Sequence, residues 1–303
     1  MRIPGKLSIW VAALRLPYFI TSLLPPCLAL CLFWKNESPL PPGTGPAFFL
    51  LLAGTLCMHG ATNLFNDYYD TINGVDNPES VGGSRVVLNG WLKLADLKAA
   101  GLFCYLFSLI FFVALSLLTA RILILPGWLL GFAISFFYVG PPVAYGYLGW
   151  GEAGSFIGMG WVLLLGSYFS LSGHFSWPAF WLASILGLMT AEVLFFQSLP
   201  QIETDPRYNK HTLASRLGRR RCFLIQSLAW PFIWLACALL ALGGHIGWAA
   251  LSCLSAIPLY IKSQIQLHKW FDGASPQALY DAGGLIRGMF FITAAALFIS
   301  ILW

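Results

Sequence analysis

A stripe of oxygen-bearing side chains lies near residue 65. Asn63, Asp67 and Asp70 are spaced at i, i+4 and i+7, so on a helix they share one face, and Asp76 follows them. In a chain with only 10% charged residues, such a stripe at the end of an apolar segment is costly unless a cation binds it. Oxygen ligands that leave room for water and phosphate suit Mg²⁺. The alternative interpretation is a solvated acidic loop.

A second polar stripe follows much later in the chain. Gln197, Gln201 and Asp205 have the spacing i, i+4 and i+8, which predicts one helical stripe leaving an apolar span, and the cations Lys210 and Arg216 come next. Both stripes fall in the same topological position, so we expect two helix ends to face each other across a cavity open to the cytoplasm. Carboxylates on both sides with cations behind them would hold a metal-bound polyanion, most simply a diphosphate.

The elements that position these stripes are predicted membrane spans. With 58% hydrophobic residues and a mean hydropathy of +0.74, the chain reads as a polytopic membrane protein, since a soluble domain carries about a quarter charged residues. The whole chain, 1–303, is predicted to be one membrane-embedded domain. The apolar runs predict an all-α bundle of about nine transmembrane helices, at 8–33, 46–66, 96–120, 122–140, 152–171, 177–199, 223–243, 246–266 and 284–302.

The basic residues predict the orientation in the bilayer. If the N-terminus is cytoplasmic, all but Lys35 and Arg121 of the 17 Lys and Arg residues, Arg2 included, lie in or beside cytoplasmic loops. The net charge of +5 is therefore attributed to topology, and no nucleic-acid partner is expected. The predicted location is a bacterial cytoplasmic membrane with the site facing the cytoplasm. The seven cysteines are interpreted as apolar packing residues.

Several segments together resemble one known family. They are Asn66-Asp67-Tyr68-Tyr69-Asp70 with Asp76, Gly82 to Arg85, Tyr138 to Glu152, and Glu203-Thr204-Asp205 with Lys210 to Gly218. With Arg15-Leu16-Pro17 at the start of the first span, the combination is similar to the UbiA-type intramembrane prenyltransferases. It is most similar to their 1,4-dihydroxy-2-naphthoate polyprenyltransferase branch.

The resemblance implies a bundle around a central cavity, Mg²⁺ as the cofactor, a polyprenyl diphosphate donor and an aromatic acceptor. It implies that Asp67, Asp70 and Asp76 are the carboxylates of the first motif, and that Asp205 belongs to the second. The implied catalytic residues are these four and Lys210. The implied metal ligands are the same four Asp residues with Gln201, and the candidate substrate-binding residues are Asn63, Asn66, Arg85, Gln201, Arg216, Tyr138 and Tyr145.

The second motif departs from the family pattern. It has Gln201 where the family has an Asp, and Gln197 where an Asn is frequent. The carbonyl oxygen of a glutamine still ligates Mg²⁺, but it supplies no negative charge, so one metal ion is expected to bind more weakly.

Two acidic residues and three tyrosines have alternative interpretations. Glu192 falls inside the sixth predicted span, where it is either functional or paired with a neighbour such as Arg15. Glu152 is either an acceptor-site residue or an acid at a helix N-terminus. Tyr138, Tyr145 and Tyr147 either stabilise an allylic cation through their rings or serve packing alone.

Three alternative functions stay open at this point. The acceptor of the prenyl group could be another compound, of the 4-hydroxybenzoate or homogentisate type. A secondary transporter also has many spans and few charges, but transporters place ionisable groups near the bilayer midplane, whereas these acids cluster at one end. A non-catalytic membrane protein with a decayed second motif at Gln201 is the third alternative.

Overall fold

A computed structural model gives the fold and describes residues 5–78, 80, 82–273 and 275–303. Arg2, one of the basic residues predicted to be cytoplasmic, lies outside the described residues. The described part of the chain contains helices, turns and irregular segments and has no strand. The predicted all-α fold class is therefore confirmed.

Eleven α-helices form the bundle within the described residues. They are α1 Lys6–Leu14, α2 Ile20–Asn36, α3 Thr44–Ile72, α4 Leu94–Thr119, α5 Ile124–Phe136, α6 Gly151–Ser155, α7 Gly166–Ser172, α8 Trp177–Ser198, α9 Leu213–Leu242, α10 Ile257–Phe271 and α11 Pro276–Leu302. A π-helical segment, Phe156–Leu165, joins α6 to α7, and a 3₁₀ segment, Trp248–Ala256, leads into α10.

Seven helical stretches in the described chain are long and apolar enough to cross a bilayer. They match seven of the nine predicted spans. The predicted span 122–140 is represented by α5, which has only 13 residues. The predicted span 246–266 combines the 3₁₀ segment with α10. Apolar runs alone could not separate these broken segments from continuous helices, because hydropathy does not register local helix type.

The centre of the bundle is packed with aliphatic side chains. Leu28 of α2, Leu186 and Met189 of α8, and Leu297 of α11 are fully buried in one cluster. The predicted tight hairpin of the third and fourth spans is present as α4 and α5, which turn at Arg121. Many large apolar residues remain exposed on the outer faces, for example Phe103 of α4, as expected where lipid replaces water.

The two polar stripes differ in their backbone. Helix α3 continues to Ile72, so Asp67 and Asp70 lie in its last two turns, and the first stripe is helical as predicted. The prediction that the second stripe follows one helix is wrong. Helix α8 ends at Ser198, Gln201 closes a 3₁₀ turn, and Asp205 opens another. Pro200 and Pro206 stand in these turns, and proline disfavours a continuing α-helix.

The second motif lies at the same end of the bundle as the turn between α10 and α11. Arg219 donates hydrogen bonds to the carbonyl oxygens of Trp270 (3.2 Å) and Phe271 (3.4 Å), and it forms an ion pair with Glu203. Helix α9 kinks just before this arginine, at Gly218, whose φ of 74° and ψ of 167° favour glycine. The kink separates the short N-terminal part of α9, next to the motif, from its membrane-spanning part.

Candidate active site

The two acidic motifs meet at an ion pair between Asp70 and Lys210. The Lys210 Nζ lies 3.0 and 3.2 Å from the two carboxylate oxygens of Asp70, and both side chains are almost fully buried. The backbone N–H of Lys210 donates to the Asp205 carbonyl oxygen at 3.1 Å. Residues 140 positions apart in the chain are thus joined, and the predicted juxtaposition of the two motifs is present in the structure.

Tyr147 completes this contact from a third segment. Its hydroxyl donates a hydrogen bond to Asp70, and Lys210 lies 5.3 Å from the centre of its ring. Burial and the adjacent Asp70 raise the pKa of Tyr147 above its ordinary range, so the phenol keeps its proton and acts as a donor. Burial lowers the pKa of Lys210, but Asp70 and Asp205 outweigh burial and hold it above the ordinary value.

A second ion pair joins Asp67 to Arg15, which follows α1. In this pair the Arg15 guanidinium donates a hydrogen bond to the carboxylate, and the backbone N–H of Ser84 approaches the same oxygen at 3.4 Å. One turn earlier on α3, the Asn63 Nδ2 donates to the carbonyl oxygen of Leu14 at 2.8 Å. The start of the first span is therefore held against the acidic face of α3.

Asp76 and Asp205 are buried acids that form no ion pair within the described residues. Burial, together with the charges of Asp70 and Asp67, raises the pKa of Asp76 to about 7. Burial raises the pKa of Asp205 to about 6 despite the nearby Lys210. In both carboxyl groups burial is the largest cause of the shift, because it disfavours the charged form.

Glycines allow the first loop to close over the motifs. A Cβ on Gly83, which has φ of 75°, would lie 2.6 Å from the Asp76 carboxylate, and one on Gly82 would lie 2.2 Å from the Gln201 Nε2. Gln201 therefore packs against the first loop, next to the carboxylates. The close approach explains why Gly82 and Gly83 carry no side chain.

The remaining predicted residues are placed less directly. Arg85 lines a small crevice with Asp67 and Asp76, where its guanidinium donates to the carbonyl oxygen of Ser80. Burial raises the pKa of Tyr138 to about 12, and the nearby charge of Lys210 opposes this shift only in part. The Asn66 side chain is half-buried on α3 and forms no hydrogen bond with another described residue.

Two predicted substrate-binding residues have other contacts. The Arg216 Nε donates to the carbonyl oxygen of His211 at 3.1 Å, and its side chain covers Gly149. The Tyr145 hydroxyl donates to the carbonyl oxygen of Ile134 at 2.7 Å and so supports the end of α5. Neither side chain contacts the carboxylates in the described part of the structure.

Sequence reasoning missed the role of Arg15 and assigned Tyr147 only a cation-stabilising or packing role. An arginine at the boundary of an apolar span, opposite an acidic stripe, was the available signal for Arg15. The suggested pairing of Glu192 with Arg15 is absent, because Arg15 pairs with Asp67. Glu192 instead accepts a hydrogen bond from Gln226 of α9, deep in the bundle.

The carboxylate oxygens of this site suit Mg²⁺ as ligands, although the described residues contain no group of three or more His, Cys, Asp or Glu side chains already placed to hold a metal ion. One oxygen of Asp67 and one of Asp205 are buried without a hydrogen-bond partner. Free carboxylate oxygens in an acidic site are the ligands that Mg²⁺ uses when it keeps part of its shell for water and phosphate. The residues present therefore suit a metal ion shared with an anionic ligand.

Comparison with known proteins decides the family. A model described as the UbiA prenyltransferase family matches residues 23–295 of the chain. The chain belongs to the UbiA prenyltransferase family. It is accordingly a membrane-embedded prenyltransferase, which confirms the resemblance of its motifs.

Two curated relatives of this UbiA protein are named for a naphthoate and a naphthoquinone substrate. The 1,4-dihydroxy-2-naphthoate octaprenyltransferase of Bacillus subtilis (strain 168) is 28% identical over 260 residues, covering 84% of this chain and 79% of the relative. The 2-carboxy-1,4-naphthoquinone phytyltransferase of Synechocystis sp. (strain ATCC 27184 / PCC 6803 / Kazusa) is 26% identical over 257 residues, with coverages of 84% and 81%.

Solved structures share the fold of this UbiA protein. The apo structure of a UbiA homolog from Aeropyrum pernix K1 superposes with a TM-score of 0.64 at 16% identity, covering 92% of this chain and 97% of that one. A UbiA homolog from Archaeoglobus fulgidus bound to GPP and Mg²⁺ gives a TM-score of 0.60 at 13% identity, with coverages of 95% and 99%. These likenesses confirm the architecture of the membrane bundle.

We expect the Asp70–Lys210 pair to be energetically coupled. K210Q leaves a buried carboxylate without its cation and is expected to lower the free energy of unfolding by about 3–5 kcal/mol. D70N in the K210Q background removes that uncompensated charge and should recover part of the loss. The measurement is reversible unfolding in mixed micelles for the two single variants and the double variant.

E203Q is the matched control for this cycle, because Glu203 pairs with Arg219 on an exposed surface. Its expected cost is about 0–1 kcal/mol. If the loss of stability in the double variant equals the sum of the losses in K210Q and D70N, the two residues are not coupled.

Proposed function

We propose that this prenyltransferase transfers a polyprenyl group from a polyprenyl diphosphate to 1,4-dihydroxy-2-naphthoate, with Mg²⁺ as its cofactor. The observation that carries the proposal is the meeting of both acidic motifs at Asp70 and Lys210 in a UbiA bundle. The acceptor is inferred from the name of the relative in Bacillus subtilis. Prenylation of another hydroxylated aromatic acceptor is the alternative.

Each residue proposed to bind the metal ion or the diphosphate has a role that follows from its chemistry. Asp67, Asp70, Asp76 and Asp205, with Gln201, would hold Mg²⁺, which when bound neutralises the diphosphate as negative charge develops on it. Lys210 is held between the motifs by Asp70, where its ammonium can bind diphosphate oxygens. Arg85 lines the adjacent crevice and is proposed as a second diphosphate contact.

The reaction replaces one bond with another. The carbon–oxygen bond of the allylic diphosphate breaks, and the diphosphate leaves with the electron pair. A ring carbon of the acceptor bonds to the allylic carbon with an electron pair of the ring. The ring then regains aromaticity by losing the hydrogen of that carbon as a proton, or its carboxylate as CO₂. Tyr138 and Tyr147 are aromatic residues near Lys210, so we propose them as rings that face the developing allylic cation.

The decisive experiment is turnover by purified protein in lipid nanodiscs. With Mg²⁺ and a labelled polyprenyl diphosphate, prenylation of 1,4-dihydroxy-2-naphthoate is expected to exceed that of 4-hydroxybenzoate and homogentisate by at least tenfold in kcat/KM. A preference for either of the other acceptors would assign the protein to that acceptor. Removal of Mg²⁺ with EDTA should stop the reaction, and added Mg²⁺ should restore it.

Two variants of the second motif should change the Mg²⁺ requirement in opposite directions. D205N removes a carboxylate whose oxygen has no partner in the described structure and is expected to raise the Mg²⁺ concentration for half-maximal activity at least tenfold. Q201D adds a charge beside the site and should lower that concentration. A higher requirement in Q201D would assign Gln201 another task.

We further propose that the active-site end of the bundle faces the cytoplasm, because most basic residues lie in loops predicted to be on that side. In inside-out bacterial vesicles, a cysteine at the exposed position Asn209 should react with a membrane-impermeant maleimide. A cysteine at the exposed position Asn36 should react only in right-side-out vesicles or spheroplasts. The reverse labelling pattern would invert the proposed orientation.

A further inference from the structure

His59 extends the polar face of α3 deeper into the membrane-spanning bundle. His59, Asn63 and Asp67 are spaced at i, i+4 and i+8, so they lie on one face of the helix. The imidazole is half-buried, and His59 stands about 12 Å from Asp67 along the helix axis. A polar ring at this depth is costly unless it has partners, and it is therefore a candidate functional residue.

Three other elements fix the orientation of this imidazole. The His59 Nδ1 lies 2.6 Å from the Oγ of Ser22, a fully enclosed residue of α2. The ring of Phe19, from the segment before α2, stacks on the imidazole at 4.8 Å between centroids. Met159 of the π-helical segment places its sulfur 3.9 Å from the same Ser22 Oγ. The imidazole is thus clamped by groups on the Nδ1 side and on one ring face.

The hydrogen bond with Ser22 occupies one imidazole nitrogen of His59. The Ser22 Oγ and the His59 Nδ1 share this bond at 2.6 Å, and the tautomer of the ring decides which of the two donates. In either tautomer, Nε2 has no hydrogen-bond partner within the described residues. His59 therefore presents an oriented polar nitrogen that is available to a ligand.

We propose that the Nε2 of His59 forms a hydrogen bond with a ring hydroxyl of the aromatic acceptor, with Ser22 as a positioning residue. This inference rests on the proposed function, since it needs a hydroxylated aromatic substrate. The rise of about 12 Å between His59 and Asp67 exceeds the width of an aromatic ring, so a ring bound at His59 would lie between the imidazole and the carboxylates. Asn63, midway between them, would face the ring edge.

The hydrogen bond gives His59 a role in selectivity. A partly buried polar atom left without a hydrogen bond is unfavourable, so the site would favour compounds that place a hydroxyl opposite Nε2. A purely structural His59, whose only task is to join α3 to α2, would have no such preference. The two roles differ in what they do to the KM of the acceptor.

The test compares H59L with T62V, a matched control on the same helix. Thr62 also has a polar side chain inside the bundle, but it bonds the carbonyl oxygen of Met58 (2.9 Å) and Ser135 of α5. We expect H59L to raise the acceptor KM about 3–10-fold, the loss of one hydrogen bond, without changing the KM of the polyprenyl diphosphate. T62V should leave both KM values unchanged, and H59Q should recover part of the loss.

A second variant, S22A, and a binding measurement for the aromatic acceptor test the same role of His59. S22A is expected to raise the acceptor KM by less than H59L, with the diphosphate KM again unchanged. Quenching of tryptophan fluorescence by 1,4-dihydroxy-2-naphthoate gives the acceptor Kd without turnover, and H59L should weaken it by the same factor. Equal Kd values for wild type and H59L, or a rise in both KM values matched by T62V, would overturn the inference.

The design separates this inference from the proposed function. If the wild-type protein prenylates only another hydroxylated acceptor, the proposed acceptor is wrong, and the His59 comparison is made with that acceptor. If the wild type prenylates the naphthoate and H59L keeps its acceptor KM, the proposed function stands and the role of His59 falls. If no acceptor is prenylated or bound by the wild type, both proposals fail together.

Discussion

Buried carboxylates organise this protein, because inside a membrane bundle each of them needs a cation, a proton or a metal ion. Asp67 and Asp70 obtain cations from distant parts of the chain, Arg15 before the first span and Lys210 after the fifth long one. These pairings bring α1, α3 and the second motif together. Asp76 and Asp205 remain in excess, and that imbalance makes the site suited to a divalent cation.

The same ion pairs place cations where an anionic substrate can bind. Arg15 and Lys210 are already inside the site, so a diphosphate would find cations there without a large rearrangement of the backbone. Tyr147 reaches Asp70 from the segment before α6, so three separate parts of the chain converge on one carboxylate. In the proposed reaction, each cation would exchange part of its contact with aspartate for contact with phosphate oxygen.

The sequence predicted the first motif more accurately than the second, for a physical reason. The stripe of α3 follows an apolar helix without proline in its last turns, so helical periodicity continues through Asp70. Beyond α8, Pro200 and Pro206 interrupt the helix, and the same spacing no longer corresponds to one face. The pairing of the motifs was nevertheless predicted, because topology places both at one end of the bundle.

Residues that act through contacts distant in sequence were harder to predict. Arg15 meets Asp67 across 52 positions, and no local pattern marks such a pair. Tyr145 and Arg216 had suitable chemistry for a binding site, yet both contact backbone carbonyl groups elsewhere. Spacing along a helix therefore predicted which side chains share a face, whereas the identity of the group opposite that face required the three-dimensional structure.

The short helix α5 has a consequence for the surrounding lipid. Its 13 residues are about 20 Å long, against a hydrocarbon thickness of about 30 Å. The chain beyond it folds back, with backbone hydrogen bonds from Tyr145 to Phe137 (2.9 Å) and from Gly146 to Tyr138 (2.8 Å), so its polar groups are satisfied by protein. Beside α5, whose Leu129 and Leu130 are exposed, a short span is matched by local thinning of the bilayer, by flanking residues that reach the interface, or by another protein chain. Bilayers of different acyl-chain length should therefore tolerate this side of the enzyme unequally.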